Sequence, residues 1–443
     1  MEKFNDMTTE PIKKTLILLA LPIMGASFFQ LAYGIVDMLW IGKLGSRAVA
    51  AVGSAAFFIN LGFGLNTIIV TGTGVKVAHR LGSKNYKEAD EFINTGFLMN
   101  VILFSVYFTF LFLFRNMIVK YFNFNDAGVE NMAKQYLMIT GIGTFFKFSN
   151  FMFVSIFNSF GDSKTPFKIN CIGVILNIFL DPLFIFVFNL GVFGAGLATM
   201  LCEGINSTLF YIYSKKYFTI KRQKEYSREK IKDIFFLGFP NGIQRVLFTT
   251  ISIILARMVA GWGASAIAAQ KIALQIEAVS YLTIGGLQGA VASFVGQNFG
   301  AKRFDRIAEG HKVSMRLSAG LGIITTLIFV IFAGPLMKIF IDDEKTLEIG
   351  MDYLRIVGLS QVFMCLEIVN SGAYSGIGKP KIASMIGIIF TSLRIPIAFV
   401  LTKIFGINGV WLAISGTTVV KGTLSTYLFS KEKKYNFRRQ HDK

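Results

Sequence analysis

Charged residues are scarce in this sequence of 443 residues, and cysteine and histidine are scarcer still. Only 16% of the residues are charged, against about 25% in soluble domains, whereas 53% are hydrophobic. The three cysteines and three histidines stand singly along the chain, without the spacing of a disulfide framework or a metal site. We therefore expect neither a soluble globular fold, nor disulfide bonds, nor a structural metal.

Motifs for nucleotide chemistry are missing as well. Residues 372–379 (GAYSGIGK) look like a phosphate-binding loop, but the glycine spacing differs and Pro380 stands where that loop needs serine or threonine. The sequence also offers no His/Asp, Ser/His or metal-ligand set that would converge at one face. We expect no catalytic residues, no direct use of ATP and no organic cofactor, so the protein is not predicted to be an enzyme.

Long apolar runs are what the sequence has instead. Residues 92–114 contain no charged side chain, and about twenty apolar residues are enough to cross a bilayer as a helix. These runs indicate an all-α integral membrane protein with twelve transmembrane helices. We place the spans at residues 16–41, 48–74, 92–114, 136–159, 167–189, 192–213, 234–259, 266–295, 314–340, 353–376, 382–404 and 407–429.

The positions of lysine and arginine predict the orientation, because these residues are enriched in cytoplasmic loops. With the N-terminus inside, 30 of the 45 basic residues fall in cytoplasmic segments and nine in outer segments. We therefore expect both termini in the cytoplasm. The net charge of +19 is then explained by loops next to anionic lipid headgroups, above all residues 215–233, and not by a nucleic-acid partner.

The two halves of the sequence repeat each other. Residues 45–51 (GSRAVAA) match residues 263–269 (GASAIAA), and residues 191–198 (GVFGAGLA) match residues 406–413 (GINGVWLA). Six spans per half is an even number, so both halves enter the membrane in the same direction and form two pseudo-symmetric lobes in a parallel repeat. The predicted domains are an N-lobe at 1–214, a cytoplasmic basic linker at 215–233, a C-lobe at 234–430 and a cytoplasmic tail at 431–443.

The order of several motifs resembles the MATE (multidrug and toxic compound extrusion) family over essentially the whole chain, closest to its bacterial DinF-like branch. The matching segments are residues 30–37 (QLAYGIVD), 158–166 (NSFGDSKTP), 177–182 (NIFLDP), 275–277 (QIE), 295–301 (VGQNFGA), 375–380 (SGIGKP) and 393–396 (LRIP).

This resemblance implies a secondary-active multidrug exporter in the bacterial cytoplasmic membrane, which we expect to be monomeric. Such a protein moves amphipathic, cationic organic compounds out of the cell by alternating access, in antiport with Na⁺ or H⁺. A flippase for lipids or lipid-linked oligosaccharides, from the same superfamily, is the alternative.

Acidic residues inside the spans are the candidates for ion coupling, because a charge at the bilayer centre costs at least about 2.5–3.5 kcal/mol. Asp37 shares one helix face with Tyr33 and Gln30, and Asp181 lies one turn after Asn177. Two carboxylates with amide and hydroxyl oxygens suit Na⁺ or a shared proton, although a network that only links helices is the alternative. In the family, the matching positions form the coupling site, which here would contain Gln30, Tyr33, Asp37, Asn177, Asp181 and Thr199.

Other charged residues inside the spans have two interpretations. Lys147 and Glu203 lie at similar depth in the N-lobe, so we expect a structural ion pair, with a part in ion relay as the alternative. In the C-lobe, Glu277 and Glu367 accompany several basic residues, of which Arg394 is the expected partner of Glu277. These C-lobe residues either neutralise one another or bind the coupling cation or the substrate.

Overall fold

The computed structural model describes residues 6–122, 124, 126–221 and 226–432. Residues 222–225 of the predicted linker and residues 433–443 of the predicted tail lie outside them. The described chain contains one π-helical segment, Leu183–Val187, and fifteen α-helices. The α-helices are α1 (Ile12–Gly42), α2 (Ser46–Gly82), α3 (Tyr86–Lys120), α4 (Ala127–Ser159), α5 (Lys164–Pro182), α6 (Gly191–Ser214), α7 (Arg228–Ala260), α8 (Ala264–Gly300), α9 (Phe304–Ile331), α10 (Ala333–Lys338), α11 (Glu344–Gly358), α12 (Gln361–Gly376), α13 (Pro380–Ser392), α14 (Arg394–Phe405) and α15 (Asn408–Glu432).

These helices form the twelve predicted segments. Nine are both long and apolar enough to cross a bilayer, and the bent pair of α11 and α12 would be a tenth within the described chain. Helices α6 and α15 are more polar, but their 24 and 25 residues are long enough to span the hydrocarbon core at about 1.5 Å per residue. The prediction of an all-α membrane fold with twelve helices is confirmed.

Several of the predicted spans are broken instead of continuous. The tenth span bends by 54° between α11 and α12, and the eleventh is interrupted between α13 and α14. The fifth passes from α5 into the π-helical segment directly after Pro182. Proline has no backbone N–H to donate, so the regular ladder is weakened around it. A wider turn of the π type inside a helix is frequent at functional sites.

The sequence repeat recurs in the backbone. Gly45 and Gly263 have φ angles of 98° and 99°, and they precede α2 and α8, which are 37 residues long each. Lys84 and Lys302, in the turns after these helices, both have a left-handed backbone, with φ of 58° and 56°. Since only glycine adopts φ values near 100° without steric cost, the first pair is glycine in both halves.

The chain divides into two compact units. The first unit contains Gly25–Gly242, and the second contains Met7–Met24 together with the described residues from Ile243 onwards. Helices α1 and α7 are thus each shared between the units, and each changes unit shortly after a proline, Pro22 or Pro240. These units do not coincide with the predicted lobes: residues 7–24 of the predicted N-lobe belong to the second unit, and residues 234–242 of the predicted C-lobe belong to the first. The lobe boundaries therefore remain a proposal.

In the first unit, the beginning of α7 packs very closely on α2. A Cβ atom at Gly72 would lie 2.0 Å from the carbonyl oxygen of Ile234, and one at Gly238 would lie 1.8 Å from that of Ile68. Side chains at these two positions would therefore force the helices apart, and glycine is required by the close approach of the two backbones.

In the second unit, α8 holds the segment before α1 and packs on the first part of α1. The backbone N–H of Met7 donates to Gln297 Oε1 over 3.0 Å, and Asn298 Nδ2 donates to the Met7 carbonyl over 3.2 Å. Farther along, a Cβ atom at Gly286 would lie 2.4 Å from Met24 Cγ. Each unit therefore anchors the first part of a helix whose remainder belongs to the other unit.

Candidate functional site

A cavity of about 140 Å³ lies inside the first unit, among α1, α2, α4 and α6. This volume exceeds the roughly 30 Å³ that one water molecule occupies in the liquid, so it could hold a small ion with water. The wall combines charged, amide, hydroxyl and aromatic side chains. The lining residues are Tyr33, Asp37, Ala56, Ile59, Asn60, Phe63, Tyr136, Thr140, Gly143, Thr144, Lys147, Thr199, Met200 and Glu203.

Two carboxyl groups meet beside this cavity. Asn177 and Asp181, one turn apart on α5, are both fully buried, and Asn177 Nδ2 donates to Asp181 Oδ1 over 3.0 Å. The Asp37 carboxyl, on α1, lies close to the Asp181 carboxyl. The structure therefore brings together the two acids that the sequence analysis singled out in this half of the chain.

Three oxygen atoms of this group are buried without a hydrogen-bond partner in the described structure: Asp37 Oδ1, Asn177 Oδ1 and Asp181 Oδ2. An unsatisfied buried polar atom costs about 1–3 kcal/mol, and more when it is charged, so native proteins retain few of them. All three atoms are acceptors, and a proton or a cation would satisfy them. Within the described ranges, no three His, Cys, Asp or Glu side chains gather as they would around a transition metal.

Some of the neutral residues predicted for this site line the cavity, and one does not. The hydroxyls of Tyr33 and Thr199 lie 3.0 Å apart and link α1 to α6 at the cavity wall. Gln30, predicted on the same face of α1 as Asp37, is exposed and does not line the cavity. The structure thus gathers five of the six predicted residues around the acid pair and leaves Gln30 apart from them.

Lys147 and Glu203 face each other across the same cavity. Lys147 Nζ lies 3.8 Å from Glu203 Oε1, and it also lies 4.8 Å from the centre of the Phe63 ring. Asn150 Nδ2 donates to Glu203 Oε2 over 2.7 Å and to the Glu203 carbonyl oxygen over 3.0 Å. Glu203 is therefore fixed mainly by Asn150, whereas the contact to Lys147 is long.

Some residues of the site were missed by the sequence analysis. Asn150 lies three residues after Lys147, on the same face of α4, and this helical spacing could have indicated its contact with Glu203. Asn60 and Phe63 come from α2, where no acidic residue marks the segment as functional. Only the packing of α2 on α4 shows that they line the cavity.

The second unit has a buried polar group of its own, centred on Glu277. The Tyr353 hydroxyl donates to Glu277 Oε2 over 2.8 Å, and Gln361 Nε2 donates to Glu277 Oε1 over 3.2 Å. Ser280 in turn donates to Gln361 Oε1 over 2.9 Å. Both carboxylate oxygens of Glu277 are therefore hydrogen-bonded by neutral donors.

The ion pair expected between Arg394 and Glu277 does not form. Arg394 Nε donates to the Thr417 hydroxyl and Arg394 Nη2 to the Thr418 hydroxyl, both over 3.0 Å. The ion pair of this region joins Lys421 Nζ to Glu367 Oε2 over 2.8 Å. Lys421 was overlooked in the sequence because it stands among small and polar residues on α15.

Comparisons with known proteins agree with this architecture. The sequence model of the MatE family matches residues 22–183 and 240–400, one segment from each half of the repeat. The chain is 27% identical to the "Probable multidrug resistance protein NorM" of Thermotoga maritima, over 94% of this chain and 92% of that protein. It is 25% identical to the "Multidrug export protein MepA" of Staphylococcus aureus, over 92% and 91% of the two chains.

The fold has been seen before. A mutant of the Vibrio cholerae MATE transporter VcmN superposes with a TM-score of 0.91, over 96% of this chain and 98% of that chain, at 18% identity. This likeness concerns the arrangement of the helices alone. Because the family model covers most of the chain, in both halves of a twelve-helix fold, the chain belongs to the MATE family.

Proposed function

We propose that this protein is a multidrug exporter that moves amphipathic, cationic organic compounds out of the cell in antiport with H⁺ or Na⁺. The observation that carries the proposal is the pair of buried carboxyl groups, Asp37 and Asp181, whose oxygens lack partners beside a polar cavity. The names of the relatives, a multidrug resistance protein and a multidrug export protein, support the substrate class. We also propose that it lies in the bacterial cytoplasmic membrane with both termini inside, which the distribution of its basic residues supports.

The acid pair supplies the coupling. Two carboxylates in contact inside a protein cannot both remain charged without a proton or a cation, because their repulsion and desolvation are too costly. Binding of that ion therefore changes the charge of the first unit at Asp37, on the helix that both units share. Transport follows if the ion and the substrate favour different conformations of this helix, since each ligand shifts the equilibrium by its difference in affinity.

Neutral groups around the pair orient the ion. Asn177 donates to Asp181, so the carboxamide oxygen of Asn177 is turned away and remains free as an acceptor. The hydroxyl pair of Tyr33 and Thr199 joins α1 to α6 next to Asp37. These contacts hold the oxygens in place before the ion arrives, which lowers the cost of ordering them.

The test is efflux of a fluorescent organic cation from proteoliposomes, driven separately by a pH gradient and by a Na⁺ gradient. Wild type should respond to one of the gradients, and the Asp37→Asn variant should respond to neither, although it should be inserted normally. As a matched control, Asp305→Asn changes an exposed acid whose ion-pair partner in the described chain is Arg303, and neither residue lines the cavity, so it should export like wild type. Normal export by Asp37→Asn would contradict the proposal, and a wild type that moves no cationic dye would favour the flippase alternative.

A further inference from the structure

We propose that Lys147 makes this cavity select the proton over Na⁺, because its ammonium group already occupies the place of a metal cation beside the carboxyl groups. The inference rests on the proposed function, since it concerns the ion that the acid pair exchanges. It assigns to Lys147 a role beyond the structural ion pair with Glu203: a positioning charge that decides which ion can enter.

The contacts of Lys147 leave its ammonium group free to act on the cavity. Its nitrogen is 3.8 Å from the nearest oxygen of Glu203, longer than a charge-assisted hydrogen bond of about 2.7–2.9 Å. The Phe63 ring, whose centre is 4.8 Å from the Lys147 nitrogen, makes a cation–π contact with it. This contact helps to position the ammonium group and does not use one of its hydrogen bonds. An ammonium group has three donors, so most of its hydrogen-bonding capacity points into the cavity.

Glu203 does not need Lys147 for its own satisfaction. Asn150 binds Glu203 Oε2 at 2.7 Å, which holds this carboxylate in place independently of the lysine. Lys147 also lies near enough to Asp37 for its charge to act on that carboxyl group. The four-carbon side chain of Lys147 can therefore place its positive charge between Glu203 and the acid pair.

The charge balance of the cavity is then determined by a small set of groups. Helix α2 contributes no titratable lining residue, so the set comes from the four remaining helices around the site. It contains Tyr33 and Asp37 from α1, Tyr136 and Lys147 from α4, Asp181 from α5, and Cys202 and Glu203 from α6. Three carboxyl groups and one ammonium group leave two negative charges when all are ionised.

A proton and a sodium ion require different surroundings when they neutralise these negative charges. A proton forms an O–H bond with one carboxylate, which then donates to its neighbour, and it requires no further ligands. A metal cation needs several oxygen atoms around it at once. Here it would have to collect them within reach of the Lys147 charge, which repels it, in a space where such repulsion is only weakly screened. The same repulsion acts on a proton, but Na⁺ must in addition compete with the three N–H donors of Lys147 for the oxygen atoms of the cavity. The ammonium group therefore disfavours Na⁺ more than the proton.

The experiment compares wild type, Lys147→Gln and Lys147→Arg in proteoliposomes, with a Na⁺ gradient or a pH gradient imposed alone. Wild type should respond to the pH gradient only. A neighbouring charge changes the ion affinity of a carboxyl group by about tenfold or more, so Lys147→Gln should gain efflux driven by Na⁺. Lys147→Arg keeps the charge and should keep the preference of wild type.

The matched control is Lys134→Gln on the same helix, because Lys134 pairs with Glu130 at the same distance of 3.8 Å but does not line the cavity. Should Lys147→Gln fail to insert, Lys147→Met removes the same charge with an unbranched apolar side chain and should show the same gain. Efflux of wild type driven by Na⁺ alone, or variants without the lysine that still ignore Na⁺, would overturn the inference. Neither result would affect the proposed function, which fails if Asp37→Asn still exports or if wild type moves no cationic dye.

Discussion

The buried polar groups of the two units differ in how completely they are satisfied. In the first unit, Asp37, Asn177 and Asp181 each keep a buried oxygen without a partner, and a cavity lies beside them. In the second unit, Glu277 accepts two hydrogen bonds, and no side-chain atom of Glu277 or Glu367 is among the unsatisfied buried atoms of the described chain. Both regions contain acids at membrane depth, so their charge alone does not distinguish them.

This difference suggests which polar group binds an ion and which one stabilises the fold. A buried charge that has all its partners is stable as it stands, and it gains nothing from a ligand. A set of acceptors without donors remains costly until a proton or cation arrives, so ion binding is favourable there. We therefore assign coupling to the first unit and cohesion to the polar group of the second.

The largest effect should come from breaking the ion pair of the second unit. Lys421→Met leaves Glu367, whose side chain is 15% exposed, without its partner, which should cost up to about 3 kcal/mol of stability. Thermal unfolding in detergent should show a strong loss, whereas the double variant Lys421→Met/Glu367→Leu should recover most of it.

A surface pair of the same unit serves as the control. Arg303 pairs with Asp305, and the two side chains are 47% and 56% exposed, so Arg303→Met should change stability by no more than about 1 kcal/mol. If Lys421→Met unfolded at the temperature of wild type and instead lost its response to the ion gradient, the pair would belong to the transport machinery and the comparison between the units would fail.

The next effect concerns the space in the first unit. Ala56→Leu would fill part of the cavity from α2, so it should reduce gradient-driven export about tenfold or more while thermal stability changes by less than about 1.5 kcal/mol. Gly53→Ala is the control on the same helix, since a Cβ atom there meets nothing within 4 Å. Unchanged export by a stable Ala56→Leu protein would show that the cavity is not used.

The smallest effect should follow Tyr33→Phe. The variant loses only the hydroxyl bond to Thr199, and one neutral hydrogen bond contributes about 1 kcal/mol, so the rate of export should fall about fivefold. Tyr213→Phe, at an exposed position of α6, should behave like wild type. A complete loss of export in Tyr33→Phe would mean that the hydroxyl takes part in ion binding itself.

Much of the fold was predictable because crossing a bilayer constrains the sequence so strongly. A span such as residues 92–114 has one interpretation, and α3 confirms it. The breaks were not predictable to the same extent. The interruption between α13 and α14 falls at Leu393, three residues before Pro396. The 54° bend of the tenth span follows Gly358, but glycine also occurs inside continuous helices such as α2 and therefore does not mark a bend by itself. Such bends depend on the packing of neighbouring helices, which a single sequence does not encode locally.

The site was predictable where charge and helical spacing coincide. Asp37 and Asp181 could be found because an acid inside an apolar span is costly and therefore rare. The partner of Glu277 could not be found in this way, because Tyr353 and Gln361 are neutral residues on two different helices. Opposite charge suggested Arg394 instead, yet its guanidinium group binds Thr417 and Thr418. Contacts among neutral donors require the tertiary structure.

The most direct test of the account is proton release from purified protein when an organic cation is added in weakly buffered detergent solution. We expect a substrate-dependent release in wild type and in Glu277→Gln, and no release in Asp181→Asn, because we propose that the acid pair of the first unit, whose oxygens lack partners, exchanges its proton for substrate. Release that persists in Asp181→Asn but disappears in a folded Glu277→Gln protein would contradict the account and move the coupling site to the second unit.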